Sequence, residues 1–340
     1  MQRKDFIKTA FAAAAFPAIK TLPFVLIKNK IKPPRLKKGD TIGLIAPGSY
    51  ISEKELQDCL NNIKLLGLKP FFTNNILKQT GYFSGTDQQR LDDLHLMFTN
   101  KNIKGIICAR GGYGCARLLP LIDYDILSNN PKVFCGYSDV TALLYGIYSQ
   151  TGLITFHGPV GISTFNQFTL RYFYDLLFEG RDEIELISES DNEIKPVTIS
   201  SGKAEGLLIG GNLAVIMSLL GTPYDIDLTD RILFFEEITE EPYRIDRMLT
   251  QLLQAGKLDN IRGIAMGTFK DCEPKKVNPA FQNSFSLIEV LFERLSGLKV
   301  PVVYGLSFGH VKNKFTLPLG IMSELDTFTN KLKLSERSVE

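Results

Sequence analysis

The sequence predicts an α/β protein in two parts: an N-terminal doubly wound parallel-sheet domain carrying a nucleophile elbow, and a smaller C-terminal α/β domain. Three observations lead there. Between Asp40 and about Gly161, short apolar runs alternate with stretches of helical period, as in a parallel sheet covered on both faces. The stretch "EGRDEIELISESDNEIKPVTISSGKAEG" is polar and interrupts that alternation. From Gly206 the alternation resumes in "GLLIGGNLAVIMSLLGTPYDID", "RILFFEEITEEPYRIDRMLTQLLQAG", "IRGIAMGTF" and "PVVYGLSFGH". The expected division is an export signal over 1–30, an N-terminal domain over 36–170, a linker with one edge strand over 171–205, and a C-terminal domain over 206–335.

Within the first part, "TIGLIAP" reads as a strand. "SEKELQDCLNNIKLLG" reads as a helix capped by Ser52, with Glu55 three residues on to complete a capping box. "GTDQQRLDDLHLMFTN" is expected as a helix, "IKGIICA" as a strand and "YGCARLLPLI" as a helix. "KVFCGY" is a strand, and "DVTALLYGIYSQTG" a helix ending at Gly152. Ligands of such sheets gather at the carboxyl ends of strands. Gly48-Ser49, Gly111-Gly112 and Ser138 all fall at such ends, which predicts one shared crevice.

Composition narrows the function. With 39 basic and 37 acidic side chains the net charge is +2, which gives no electrostatic ground for nucleic acid as a partner. Five cysteines form no CxxC pair, and three histidines lie far apart without an HExxH motif. Neither a disulfide framework nor a zinc site is expected. The start, "MQRKDFIKTAFAAAAFPAIKTLPFVLI", has a basic head and a short Ala- and Phe-rich run, the layout of an export signal. Its Arg3-Lys4-Asp5-Phe6-Ile7-Lys8 resembles a twin-arginine signal with Lys4 in place of the second arginine. A periplasmic location follows, or a cytoplasmic one if residues 1–27 form a helix packed on the domain. Pro17, Lys20 and Pro23 interrupt the apolar run before it reaches the roughly 20 residues of a membrane span.

Chemistry concentrates in "KVFCGYSDVTALLYG", where a strand feeds a helix through Gly136-Tyr137-Ser138-Asp139. Such a corner can project the serine oxygen into the crevice, with the Asp139 amide aimed at an oxyanion. The second glycine of G-x-S-x-G is missing, and Ser138 could equally be the helix N-cap. A serine nucleophile needs a base. His95 lies in an exposed helical pattern, His157 follows an apolar run and could be a buried structural histidine, and His310 ends "PVVYGLSFGH" at a strand terminus. His310 is the better candidate. Glu236 and Glu237 follow four apolar residues, and since neighbours on a strand face opposite ways only one can look into the crevice. Either could instead pair with Arg244 or Arg247. Gly111-Gly112 would let backbone amides approach a ligand. Arg110 could bind a carboxylate in bidentate fashion or be structural.

Taken together, "IAPGS", "FSGTDQQRLDDL", "ARGGYGCARLL", "GYSDVTALL", "GGNLAVIMSLLGTPYDID", "LFFEEITEEPYRIDRMLTQL" and "GLSFGHVKNKFTLPLG" resemble the serine LD-carboxypeptidases, the family of muramoyltetrapeptide carboxypeptidases and microcin immunity peptidases. The resemblance runs from about Lys38 to Leu319. It implies Ser138 as nucleophile, His310 as base, Glu236 as the triad acid, and the amides of Asp139 and Gly112, with Gly111 beside it, as oxyanion donors. It also implies hydrolysis of the amide between meso-diaminopimelate and D-alanine in murein tetrapeptides, with no metal or organic cofactor. Arg110, Gly48 and Ser49 are weaker candidates for holding the substrate carboxylate. The implied partner is a small peptide, and family members often form dimers. Cleavage of acyl-adenylate antibiotics and non-catalytic binding of murein peptides are the alternatives. A nucleotide-dependent transferase would need phosphate fingerprints that this sequence lacks.

Overall fold

A computed structural model of the chain describes residues 29–188, 194–275 and 282–340. The export signal expected over 1–30 therefore lies, apart from Asn29 and Lys30, outside the described residues.

Five strands build the first part: β1 (Thr41–Ile45), β2 (Lys69–Phe71), β3 (Ile103–Cys108), β4 (Val133–Gly136) and β5 (Phe156–His157). They form a parallel sheet in the order β5-β4-β3-β1-β2. Their short runs of Ile, Leu, Val and Cys are buried almost throughout, as a sheet covered on both faces requires. Helices Glu53–Leu65 and Asp87–Thr99 connect them, each opened by a capping box, Ser52 with Glu55 and Thr86 with Gln89. The helix expected over 113–122 is instead a 3₁₀ segment, Cys115–Leu121. Gly114 before it holds a φ of 124°, and Pro120 inside it has no N–H to donate.

The second part contains β6 (Ile184–Leu186), β7 (Val197–Ser200), β8 (Lys203–Asn212), β9 (Arg231–Ile238), β10 (Gly263–Lys270) and β11 (Val302–Gly309). Beyond them lie β12 (Leu317–Pro318), β13 (Ile321–Asp326) and β14 (Lys331–Leu334). Eight of these form one sheet in the order β6-β14-β13-β8-β9-β10-β11-β7. Its central strands β8 to β11 are parallel and its flanks antiparallel. The polar stretch expected as a linker with one edge strand supplies β6 and β7, which close the two edges. An edge strand is half solvated, so its sequence reads as polar. β12 leaves this part and pairs antiparallel with β5, joining the first sheet.

The two parts dock beside the corner at Ser138. Helix Thr141–Thr151 is buried on nearly every face and ends at Gly152 with a φ of 77°. At its start, Thr141 Oγ1 accepts a hydrogen bond from Asn212 N, 3.0 Å away at the end of β8. Gly211 lies so close that a Cβ there would sit 2.5 Å from Thr141 Cγ2. Among the described residues no helix is long and apolar enough to cross a membrane.

Candidate active site

Ser138 follows β4 with a φ of 63°, a left-handed conformation that favours glycine and costs a serine about 1–3 kcal/mol. It caps nothing: the helix begins at Thr141 with Val140 before it and without a side-chain cap. The N-cap alternative therefore falls away, and the strain serves to turn the side chain out of the corner.

Three strand ends converge on this serine. A Cβ on Gly111 would stand 3.0 Å from Ser138 Cβ, 3.1 Å from its Oγ and 3.1 Å from Asp139 N, so Gly111 lies directly against the serine. A Cβ on Gly48 would meet Gly111 O at 2.7 Å and Asp139 Oδ2 at 2.9 Å. Gly112, at a φ of 96°, packs against Ser49, whose Oγ accepts a hydrogen bond from Tyr113 N at 3.2 Å. Ser49 N in turn donates to Gly111 O at 3.1 Å. The Asp139 carboxylate is buried and accepts from Cys115 N at 2.9 Å, which ties the serine turn to the 3₁₀ segment. Gly48-Ser49, Gly111-Gly112 and Ser138-Asp139 thus form one floor of backbone. Arg110 stands at its side, with Nη1 3.4 Å from both Glu55 Oε1 and Tyr50 O.

The second sheet supplies the acid and the imidazole. Glu236 lies near the end of β9, fully buried, and its Oε2 lies 2.7 Å from His310 Nδ1. Gly309, at a φ of 101°, makes this approach possible, because a Cβ there would come within 2.8 Å of Glu236 Cβ. Glu237 faces the other way: its carboxylate accepts from Asn212 Nδ2 at 3.0 Å, Ala214 N at 2.8 Å and its neighbour Ile238 N at 2.9 Å. Strand alternation has separated the tandem acids, and neither takes Arg244, which pairs with Glu240.

Burial by itself would raise the Glu236 carboxyl, but the imidazoles of His157 and His310 outweigh it and hold the group at about 2. Glu237 goes the other way. Burial pushes it up to about 7 against its N–H donors, and the charge of Glu236 adds to the rise.

The His310 ring packs against Tyr137, the residue before Ser138, with centroids 4.8 Å apart. No hydrogen bond joins Ser138 Oγ to His310 among the described residues; such contacts commonly tighten only around substrate. His95 is elsewhere, its Nε2 accepting from Asp123 N at 3.1 Å. His157 is buried on β5, and Lys314 is buried with Nζ 3.4 Å from Tyr137 Oη and 4.5 Å from the ring centroid. Burial lowers that lysine to about 8, and the attraction of Glu236 opposes the drop. Sequence reasoning passed over Lys314 and Tyr137, although a lysine followed by Phe315-Thr316-Leu317 was a visible signal. Among the described residues no group of three or more His, Cys, Asp or Glu side chains could hold a metal ion.

Comparison with known proteins agrees with this architecture. Residues 42–158 match the family model of the LD-carboxypeptidase N-terminal domain, and residues 205–325 that of the LD-carboxypeptidase C-terminal domain. A Bacillus subtilis (strain 168) protein named "Probable murein peptide carboxypeptidase" is 39% identical over 302 residues, 87% of this chain and 92% of that protein. Among solved structures, a muramoyltetrapeptide carboxypeptidase from Oxalobacter formigenes superposes with a TM-score of 0.74 and 32% identity, covering 86% of this chain and 97% of that one. The microcin C7 self-immunity protein MccF, in complex with aspartyl sulfamoyl adenosine, superposes with a TM-score of 0.80 and 29% identity, covering 91% and 100%. The protein is a hydrolase of the carboxypeptidase class, and its chain belongs to the LD-carboxypeptidase family.

Proposed function

We propose that the protein is a serine LD-carboxypeptidase that releases D-alanine from murein tetrapeptides by hydrolysing its amide bond to meso-diaminopimelate. The observation that carries this reading is Ser138 held in a left-handed corner on a floor of glycine backbone, beside a Glu236–His310 pair. Ser138 Oγ attacks the diaminopimelyl carbonyl while His310 Nε2 takes its proton. Glu236 fixes the imidazole through Nδ1 and stabilises the imidazolium that forms. The amides of Asp139 and Gly112 receive the oxyanion, a contribution of roughly 3 kcal/mol per donor in comparable enzymes. His310 then protonates the departing D-alanine amine, and water, deprotonated by His310, releases the acyl-enzyme.

Incubating the purified protein with L-Ala-γ-D-Glu-meso-diaminopimelate-D-Ala tests this, with Ser138→Ala alongside. D-Alanine from the wild type alone supports the reading, and none from either protein overturns the substrate. A second reading is cleavage of acyl-adenylates. It is favoured by the exposed rings of Tyr82 and Tyr113, 5.6 Å apart, which pack with Phe83 at 4.4 and 5.9 Å beside Gly112 and offer a face for a base. Release of the nucleotide from an acyl-adenylate, with no D-alanine from the peptide, would establish it.

Export through the N-terminal segment is part of the proposal. Cell fractionation of the full chain and of a chain lacking residues 1–28 checks it. Full-length protein found only in the cytoplasm would refute export.

A further inference from the structure

His157 is the chemically equipped side chain that the mechanism above leaves unused. It sits on β5, in register with Gly136 of β4, and so belongs to the sheet of the nucleophile. Glu236 and His310 belong to the other sheet. His157 Nε2 nevertheless lies 3.8 Å from Glu236 Oε1, with the two side chains 2% and 0% exposed. Neither atom has a hydrogen-bond partner, while the other carboxylate oxygen is committed to His310. A donor-capable nitrogen and an acceptor oxygen, both without partners, thus face each other in a buried pocket, where an unmade hydrogen bond is expensive. Phe234 and Phe308 meet the ring edge-on, with centroids at 5.4 and 6.4 Å, and Tyr137 does so at 5.9 Å. These walls fix the plane of the imidazole.

We propose that His157 is a positioning residue for the triad acid: its Nε2–H donates to Glu236 Oε1, so that the carboxylate is held from both oxygens, by His310 of its own sheet and by His157 of the nucleophile's sheet. This inference rests on the serine-hydrolase reading for its catalytic consequence but not for its geometry. Held at Oε1, the carboxylate cannot rotate away from His310 Nδ1, and the acid in one sheet is keyed to the serine in the other. Three other polar groups bear on this carboxylate or its pocket. Lys314 and the Tyr137 hydroxyl, 3.4 Å apart, and Glu237 on the opposite face of β9 each interact with its charge. The substitutions below leave all three in place, so a change can be assigned to position 157.

His157→Gln keeps an N–H donor near the position of Nε2, whereas His157→Phe keeps only the aromatic packing. On the murein tetrapeptide, His157→Phe should lower kcat by about 10- to 100-fold, the size typical of a group that orients another, with KM little changed. His157→Gln should restore most of kcat. Wild-type behaviour in both variants overturns the proposal, and so does an equal loss in both, which would mean packing alone. A second measurement needs no substrate. The chain has only three histidines, so 15N-imidazole NMR of the intact protein resolves each ring. The His157 nitrogens should report a proton on Nε2 and shift on Glu236→Gln. If they do not respond, the contact is absent, whatever the enzyme's substrate proves to be.

Discussion

Ser138 holds a positive φ that a glycine would adopt without strain, so its replacement separates conformational cost from chemistry. Ser138→Ala removes the proposed nucleophile and keeps the strain; Ser138→Gly removes both. Urea unfolding should find the glycine variant about 1 kcal/mol more stable than the alanine variant, with both inactive. Glu237 supplies a pH dependence of unusual sign. Its folded value, about 7, lies above its ordinary value of 4.5, so the folded state binds the proton more tightly than the unfolded chain. Its contribution therefore favours folding below 4.5 and declines as pH rises through 7. Glu236, held at about 2, acts in the other direction: its stabilisation is complete above 4.5 and is lost as pH falls toward 2. Denaturant titrations from pH 5 to 7 should accordingly show a downward slope in the wild type that Glu237→Gln flattens, while kcat stays within a few-fold.

At the scale of elements, the turn after β3 is built around the absence of side chains. Gly111→Ala keeps an ordinary backbone conformation but sets a methyl 3.1 Å from Ser138 Oγ and Asp139 N. It should lower the melting temperature by a few degrees, since the crowded backbone must give way, and lower kcat by about 100-fold, the scale of a lost oxyanion donor, when D-alanine release is followed. The strands and helices around this turn were legible because β1, β3 and β4 are continuous apolar runs and their helices open on Ser52 and Thr86. Other elements were not legible. β2 and β5 are three and two residues long, too short to show a period. β6 and β7 are polar because they lie at sheet edges, and Pro120 converted an expected helix into a 3₁₀ segment. Alternation along β9 required that Glu236 and Glu237 diverge, yet only the pairing of β9 with β8, which sets Asn212 opposite Glu236, shows how their surroundings differ. His157 and Lys314 meet Glu236 and Tyr137 through long-range packing, and no local pattern announces such contacts.

Across the whole molecule, the serine comes from one sheet and the acid and imidazole from the other, and β12 stitches the two by returning to β5. Helix Thr141–Thr151 wedges between them, with Thr141 bonded to β8. A structure so interleaved should unfold as one unit. Differential scanning calorimetry should give a single peak whose calorimetric and van't Hoff enthalpies agree, and two resolved transitions would show the sheets to be independent. The return of β12 also sets a schedule for the newborn chain. Folding during synthesis proceeds from the N-terminal side, so the nucleophile's sheet can assemble early, but its edge at β5 stays open until Leu317 and Pro318 leave the ribosome. His310 comes 172 residues after Ser138. A nascent chain therefore carries Ser138 through the synthesis of the second sheet's central strands before His310 exists to serve it, and on the proposed mechanism hydrolysis waits for them.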